Sequence, residues 1–244
     1  MKLQDKTAVV TGASRGIGRG IATRLAKDGA RVVVHYKGNI DAANEVVAEI
    51  QNNGGQAVAI ACDLADTTEI RRMFSEIESQ FKTIDFMINN AGWAEFRVLK
   101  DVDEDNFDAI FDLNVRGLFF ATQEASKIMN DNGRVVNISS GITRINSATG
   151  VVYAGSKAAI ESFTRCWSED LGARGITVNT VSPGMVETDL LLGSTPKENL
   201  ERMAQMSPFG RLGQPRDIAD VVAFLCSDDA RWITANNILA NGGV

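Results

Sequence analysis

The chain has 244 residues, of which 44% are hydrophobic and 23% are charged, as in an ordinary globular protein. Its net charge of −6 argues against a general surface for nucleic acids or anionic membranes. No apolar run approaches the length of a membrane span, and the first residues, MKLQDKTAVVTG, lack the regions of a secretory signal. We therefore expect a cytoplasmic protein without a nucleic-acid or membrane partner.

Strand-like and helix-like segments alternate along the chain. Apolar, β-branched runs without polar alternation are typical of parallel strands that are covered on both faces. The segments between them carry helical periodicity, including a pattern over residues 104–130 and a long helix that starts at VVYAGSK. These features predict one Rossmann-type, doubly wound α/β domain over residues 1–244, with helices on both faces of the sheet. Strands are expected at residues 7–11, 31–36, 56–61, 84–89, 134–139 and 176–182, with a seventh in NNILAN.

One segment, residues 186–214, interrupts this alternation. It contains Pro196, Pro208 and a helical pattern in KENLERMAQM. In a doubly wound fold, an insertion after a late strand overlies the carboxyl ends of the strands, where ligands bind. We predict that this segment is a substrate lid; an ordinary surface excursion is the alternative.

The cysteines and the histidine suit neither a disulfide framework nor a metal site. Cys62, Cys166 and Cys226 are far apart in sequence and are predicted to be buried free thiols. His35 is the only histidine and follows an apolar, strand-like run. A structural position or one at the edge of a cofactor is therefore expected for it, and not the role of a catalytic base.

The first strand leads into TGASRGIGRG, in which Gly12, Gly16 and Gly18 have the spacing G-x3-G-x-G. Glycines in a strand–helix turn let the backbone approach a pyrophosphate, and the N-terminus of the next helix attracts its charge. Such glycines can also have a purely conformational role. The strand before the turn and the helix after it favour dinucleotide binding.

The end of the second strand indicates which dinucleotide binds. NAD-specific sites usually have an acidic residue there, whereas this chain has HYKG at residues 35–38. Arg15 in the glycine turn and Lys37 after the strand could instead meet a 2′-phosphate. NADP(H) is therefore the predicted cofactor, and two solvated surface cations are the alternative.

Tyr153 and Lys157 are separated by one helical turn in the sequence YAGSK. They are either two amphipathic side chains at the rim of a helix or a proton donor and the cation that tunes it. A phenol is a suitable acid for the alkoxide that forms when a ketone accepts hydride. A neighbouring ammonium group favours the ionised phenol.

In their order and separations, several short motifs together resemble the short-chain dehydrogenase/reductase family over essentially the whole chain. Ser140 precedes Tyr153 by thirteen residues, as in the core enzymes of that family. The segment GRLGQPRDIADVVAFLCSDDARWIT is similar to the branch of 3-oxoacyl-acyl-carrier-protein reductases and related ketone reductases. The motifs are TGASRGIG (11–18), CDL (62–64), NNAG (89–92), LNVRG with Asn114, NISSG with Ser140, YAGSK (153–157) and SPGMVETD (182–189).

The resemblance implies an oxidoreductase that acts on ketones and secondary alcohols, with Tyr153 as the general acid. It implies that Lys157 tunes Tyr153 and binds the nicotinamide ribose. It further implies that Ser140 bonds the substrate oxygen and that Asn114 holds a water of a proton relay. The implied cofactor contacts are Gly12, Ser14, Arg15, Gly16, Ile17 and Gly18 at the phosphates, Tyr36, Lys37, Asp63 and Leu64 near the adenosine, Asn90, Ala91 and Gly92 near the ribose, Tyr153 and Lys157 at the nicotinamide ribose, and Pro183, Gly184, Val186 and Thr188 near the carboxamide.

Two features bear on the substrate. Asp131 stands before the fifth strand, where basic residues would help to dock an acidic carrier protein. An apolar pocket for aryl or alkyl ketones is also predicted, with core packing as the alternative role of its residues. The predicted pocket residues are Trp93, Phe96, Ile142, Ile145, Val151, Leu190 and Leu191.

A carbonyl reductase is thus the favoured function. The alternatives are a 3-oxoacyl-acyl-carrier-protein reductase of fatty acid synthesis, a polyol or sugar dehydrogenase, and a non-enzymatic NADP(H) sensor, which the complete catalytic set disfavours. The helices predicted at 104–130 and 152–172 resemble those that pair in the tetramers of the family, which implies a homotetramer. Ala235 and Asn236 depart from the glycine that relatives commonly have after Thr234, near the second predicted interface.

Overall fold

A parallel sheet forms the centre of the molecule. The computed structural model describes residues 2–244, apart from the side chains of Leu190 and Ser194. Seven strands lie within this range: β1 (Thr7–Val10), β2 (Arg31–Tyr36), β3 (Gln56–Ala61), β4 (Ile84–Asn89), β5 (Met129–Ile138), β6 (Thr177–Pro183) and β7 (Asn237–Ala240). Their order in the sheet is β3-β2-β1-β4-β5-β6-β7, and all neighbouring pairs are parallel.

Helices cover both faces of this sheet. Alternate residues of β2 show the two layers: Val32 and Val34 pack with the first two helices and the last one, whereas Val33 packs with two helices on the opposite face. Each fully buried valine of this kind contributes about 1.5–3 kcal/mol relative to an exposed one. Over the described residues the α-helices are α1 (Gly16–Lys27), α2 (Ile40–Asn52), α3 (Thr67–Phe81), α4 (Glu104–Phe111), α5 (Leu118–Ile128), α6 (Val151–Gly172), α7 (Asp189–Ser194), α8 (Lys197–Met206) and α9 (Pro215–Cys226).

The direction in which the chain adds strands reverses between β1 and β4. From β1 the sheet grows through β2 to β3 on one side, and from β4 it grows to β7 on the other side. The loops after β1 and β4 therefore diverge and leave a crevice above the carboxyl ends of these strands, which is where doubly wound folds bind ligands. The predicted doubly wound fold is confirmed.

Two predicted elements differ in detail from the structure. β5 begins at Met129, earlier than residue 134, because Met129 pairs with Ile84 before a register shift in the ladder. The helical pattern over 104–130 is not one helix, because a π-helical turn over Asp112–Gly117 separates α4 from α5. A Cβ on Gly117 would lie 2.3 Å from the Leu64 carbonyl oxygen, so glycine permits this close approach.

The segment predicted to be a lid contains α7 and α8. A parallel bridge between Val186 and Gly213 joins its two ends. None of the helices in residues 2–244 combines the length and the apolar character that a membrane span requires.

The burial of the cysteines was predicted correctly for two of the three. Cys62 and Cys226 are buried, and burial raises the pKa of each thiol to about 12. The prediction was wrong for Cys166, which is exposed because it lies on the face of α6 directed away from the sheet.

Candidate active site

The turn after β1 is shaped for close approach by a ligand. Gly12 and Gly16 have φ values of 61° and 54°, in the left-handed region that favours glycine. A Cβ on Gly18 would lie 2.2 Å from the Gly12 carbonyl oxygen, so only glycine fits there as well. Arg15 is the N-cap of α1 and its side chain forms no capping bond within the described structure. The first N–H groups of α1 are therefore available to an anion such as a pyrophosphate.

Asn90, directly after β4, holds this turn in place. Its Nδ2 donates to the carbonyl oxygens of Thr11 and Gly12 at 2.9 and 3.1 Å. The Thr11 hydroxyl accepts from the backbone N–H groups of Asn90 and Ala91 at 2.9 and 3.0 Å. Two motifs that are far apart in sequence thus form one rigid wall of the crevice. Thr11 is a residue that sequence reasoning did not single out as functional.

His35 lies beneath the glycine turn and outside the candidate catalytic group. Its side chain is buried. Nδ1 accepts from the Gly12 N–H at 3.0 Å, and Nε2 lies 3.0 Å from the Cys62 carbonyl oxygen. Burial lowers the pKa of His35 to about 4 because it removes water from the charged ring. The imidazole is therefore neutral at pH 7, as a structural position at the cofactor edge requires.

Lys37 and Asp63 form an ion pair at the predicted adenosine end of the crevice. Lys37 Nζ lies 2.7 Å from Asp63 Oδ2, and Tyr36 and Leu64 beside them are buried. Partial burial raises the pKa of Asp63, but hydrogen bonds from Lys37 and the Ala65 N–H outweigh it and keep the pKa below its ordinary value. Lys37 is thus already partnered by a carboxylate, while Arg15 is exposed at the turn.

Helix α6 brings Tyr153 and Lys157 to the carboxyl end of β5. Lys157 Nζ lies 5.7 Å from the centre of the Tyr153 ring and donates to the Ile138 carbonyl oxygen at 2.8 Å. Ser140 stands just after β5, and its hydroxyl lies close enough to the Tyr153 phenol to lower the pKa of that group. The structure therefore places together three of the four residues that the sequence predicts to be catalytic.

The surroundings of this group set its protonation. Burial raises the pKa of Tyr153, and the neighbouring Ser140 hydroxyl acts in the opposite direction. Burial also lowers the pKa of Lys157 to about 8. At pH 7 the phenol is protonated and can donate, while the neighbouring amine is mainly charged and lowers the cost of forming a phenolate.

Asn114 is the fourth predicted residue and lies in the π-helical turn. Its Oδ1 accepts from the Trp93 N–H at 2.8 Å, and its Nδ2 donates to the Trp93 carbonyl oxygen at 2.9 Å and to the Ser156 hydroxyl at 3.0 Å. A Cβ on Gly92 would lie 3.3 Å from both Asn114 Oδ1 and Lys157 Nζ. Asn114 therefore joins the loop after β4 to α6 and faces the same backbone position as the lysine.

The segment after β6 lies beside the glycine turn. A Cβ on Gly16 would lie 3.4 Å from Cγ2 of Thr188, the N-cap of α7. Pro183 is the last residue of β6, and a Cβ on Gly184 would lie 2.7 Å from the Asn241 carbonyl oxygen. This close packing fixes the start of the segment predicted to be a lid next to the residues predicted to bind phosphate.

The residues predicted to form an apolar pocket include one that contacts the candidate catalytic group. The Phe96 ring packs edge to face against Tyr153, with the ring centres 6.0 Å apart. Four of the predicted pocket residues are 41–55% exposed, so the alternative prediction that they pack in the core is wrong for them. These are Trp93, Phe96, Ile145 and Val151. Ile142 and Leu191 are half-buried, and the side chain of Leu190 lies outside the described part of the structure.

Sequence reasoning missed Glu161, which supports the loop that carries Ser140. Glu161 Oε1 accepts from the Ser139 hydroxyl at 3.0 Å and from the Thr143 hydroxyl at 2.7 Å. These donors lie on either side of Ser140 in sequence. Its position one helical turn beyond Lys157 could have identified Glu161 from the sequence.

No cluster of His, Cys, Asp and Glu suited to a metal ion occurs among the described residues.

Comparison with known proteins agrees with this geometry. The family model described as "Enoyl-(Acyl carrier protein) reductase" matches residues 12–244. The chain belongs to the short-chain dehydrogenase/reductase family. This short-chain dehydrogenase/reductase is 44% identical over 245 residues to an oxidoreductase of Methylorubrum extorquens, a match that covers 100% of this chain and 99% of the relative. The family that the motifs predicted is confirmed.

Two other relatives have more specific names. A hydroxynaphthalene reductase-like protein of Metarhizium brunneum is 41% identical over 254 residues, covering 99% of this chain and 95% of the relative. The crystal structure of the angucycline C-6 ketoreductase LanV with bound NADP is 42% identical, with a TM-score of 0.95 and coverage of 99% and 96%. This short-chain dehydrogenase/reductase therefore shares its fold and family with ketoreductases.

Proposed function

We propose that this chain is an NADPH-dependent carbonyl reductase that uses Tyr153 as the proton donor. The arrangement of Tyr153 carries the proposal: a protonated phenol next to Ser140, with an ammonium 5.7 Å from its ring, at the mouth of a dinucleotide-binding crevice. The same groups serve the reverse reaction, the oxidation of a secondary alcohol.

The crevice fits NADP(H) at both of its charged ends. The positive-φ glycines and the free N-terminus of α1 suit the pyrophosphate. Arg15 and Lys37 suit a 2′-phosphate, and Lys37 can bond it while Asp63 is held by the Ala65 N–H. LanV, at 42% identity, contains bound NADP. NADPH supplies the hydride when it is bound.

The side chains of the site then bind and protonate the oxygen of the ketone. Tyr153 and Ser140 both donate to it, which fixes the carbonyl and stabilises the negative charge that develops there. Tyr153 passes its proton to this oxygen as the alcohol forms. Ionising an unperturbed phenol at pH 7 costs about 4 kcal/mol, and the Lys157 ammonium offsets part of this cost. Asn114, whose Oδ1 keeps a second lone pair, would hold the water through which a proton returns.

The environment of Tyr153 favours an apolar ketone over a carrier-bound thioester. Phe96 exposes aromatic surface beside the phenol, and Trp93, three residues earlier, is also exposed. Arg174 bonds to Asp131 in the segment predicted for carrier docking at 2.9 Å, which offsets the charge of Arg174. A relative at 41% identity is hydroxynaphthalene reductase-like, and its name refers to a fused aromatic substrate. We infer an aryl ketone as the substrate class.

NADPH oxidation measured against a panel of aryl ketones, acetoacetate esters and acetoacetyl thioesters tests this function. We expect the highest kcat/KM with the aryl ketones. Turnover with the thioesters alone would replace this function by that of a 3-oxoacyl reductase. NADPH binding without turnover of any ketone, or of the matching alcohols with NADP, would favour the sensor.

Cofactor preference provides a separate prediction. We expect Arg15→Ala and Lys37→Ala each to raise the KM for NADPH by about 10–100-fold, because each removes a charged hydrogen bond to the 2′-phosphate. The KM for NADH should stay nearly constant. Lys27→Ala, at the exposed end of α1, is the matched control. Equal use of NADH by the wild type, or equal losses with both cofactors, would contradict the assignment.

The homotetramer and the cytoplasmic location stay predictions. The α5–α6 surface supports the first of them, because Phe119, Phe163 and Trp167 form a half-buried aromatic cluster there, with ring centres 5.4–5.5 Å apart. Such a cluster suits the contact of these helices with a second copy.

A further inference from the structure

The imidazole of His35 joins the two loops that border the adenosine half of the crevice. His35 lies on β2, which pairs with β1 on one side and with β3 on the other. Its Nδ1 accepts from Gly12 in the turn after β1, and its Nε2 lies against the carbonyl oxygen of Cys62 after β3, both at 3.0 Å. Its backbone oxygen also accepts from the Ala13 N–H at 2.9 Å. One residue thus holds two consecutive N–H groups of the glycine turn.

These partners determine the tautomer of the ring. A backbone N–H only donates and a carbonyl oxygen only accepts, so Nδ1 must be unprotonated and Nε2 must carry the hydrogen. A second proton, on Nδ1, would point at the Gly12 N–H and break that bond. Gly12 has a φ of 61°, and the bond to His35 helps to hold this uncommon conformation.

The charged groups near His35 are few and mostly paired. Asp63, next to Cys62, favours the protonated ring, but it is bonded to Lys37. On α3, Glu69 accepts from the Asp63 N–H at 2.7 Å, and Arg72 donates to the Ala61 carbonyl oxygen. The Cys62 thiol is neutral, because burial raises its pKa to about 12. Burial dominates for His35 as well, and lowers its pKa to about 4.

We propose that His35 is a positioning residue for the cofactor, since its neutral, Nε2-protonated ring holds the Gly12 turn in the conformation that receives the pyrophosphate. This inference rests on the dinucleotide site of the proposed function. The turn would be released when Nδ1 takes up a proton. The protonation state of His35 therefore does not change near pH 7, whereas cofactor affinity falls as the pH approaches 4.

Two substitutions of His35 test its two ring hydrogen bonds, to Gly12 and to Cys62, independently of each other. In His35→Asn, Oδ1 takes the approximate place of Nδ1 and still accepts from Gly12. In His35→Gln, the longer amide reaches towards Cys62 and leaves the Gly12 N–H without its acceptor. By titrating NADPH fluorescence at pH 7, we expect the Kd of the Asn variant within about threefold of wild type. We expect the Kd of the Gln variant to rise about tenfold or more, as for one lost hydrogen bond. Urea unfolding without cofactor verifies that both variants are folded.

The single histidine also permits a direct test. In ¹⁵N-labelled protein without cofactor, NMR should show the Nε2–H tautomer at pH 7 and a titration midpoint well below the ordinary 6.5. An Nδ1–H tautomer, a midpoint near 6.5, or unchanged NADPH affinity in His35→Gln would overturn the inference. A different result, NADPH binding by the wild type without reduction of any ketone, would contradict the proposed function and leave the inference on His35 intact.

Discussion

Replacing Tyr153 by Phe is expected to reduce the kcat of ketone reduction by about 10²–10⁴-fold, the usual contribution of a positioned general acid. The variant loses the hydroxyl and keeps the ring, so the edge-to-face contact with Phe96 persists. Lys157 keeps its hydrogen bond to the Ile138 carbonyl oxygen. The glycine turn does not contact the lost atom, so we expect the Kd for NADPH to change by no more than about twofold.

Steady-state kinetics with saturating NADPH and an aryl ketone measures this loss. Ser140→Ala in the same background is informative, because Ser140 and Tyr153 act on the same oxygen. The double variant should lose little more than Tyr153→Phe alone, since residues that act as a unit are not additive. Turnover near that of the wild type in Tyr153→Phe would contradict the mechanism.

Gly18→Ala is expected to disrupt cofactor binding. The new methyl group would lie 2.2 Å from the Gly12 carbonyl oxygen and 2.5 Å from Nδ2 of Asn90. A backbone atom and the side chain that holds the turn must both move, and such overpacking costs about 1–3 kcal/mol. We expect the NADPH Kd to rise by at least about tenfold, the equivalent of 1.4 kcal/mol, with a lower midpoint of urea unfolding.

A second glycine provides the matched control. Gly172 is the last residue of α6, and a Cβ there has no neighbouring heavy atom within 4 Å. Gly172→Ala should therefore leave both the NADPH Kd and the unfolding midpoint close to those of the wild type. If Gly18→Ala binds NADPH as well as Gly172→Ala does, the glycine turn is not the pyrophosphate site.

Residue spacing made the glycine turn and the Tyr153–Lys157 pair predictable. Both lie within short segments in which the chain itself fixes the geometry, either a strand–helix turn or a single helical turn. The sheet was predictable for a similar reason, because its buried strands are continuous apolar runs separated by helices. The start of β5 was less predictable from the sequence. It depends on a register shift near Ile84, and this shift arises only when β4 and β5 pair.

Contacts between distant segments were not predictable from one sequence. The acceptor role of His35 depends on the left-handed Gly12 and on Cys62, which is 27 residues further along. Glu161 gains its role only when α6 packs beside the loop after β5. The π-helical turn at Asn114 likewise has no periodic signature, because a single turn of this kind is too short to establish a period of its own.

The packing of α1 against α9 has a consequence for the synthesis of this chain. The apolar side of α1, including Ile21 and Leu25, shares its core with Val222 of α9, some 200 positions later in the sequence. During synthesis, β1 and α1 therefore leave the ribosome long before α9, the helix that buries the apolar side of α1, has been synthesised. The dinucleotide crevice is likewise incomplete until Asn90 and Thr188, which contact the glycine turn, have been synthesised. The domain closes only when most of the chain has left the ribosome, and its early apolar segments are exposed until then.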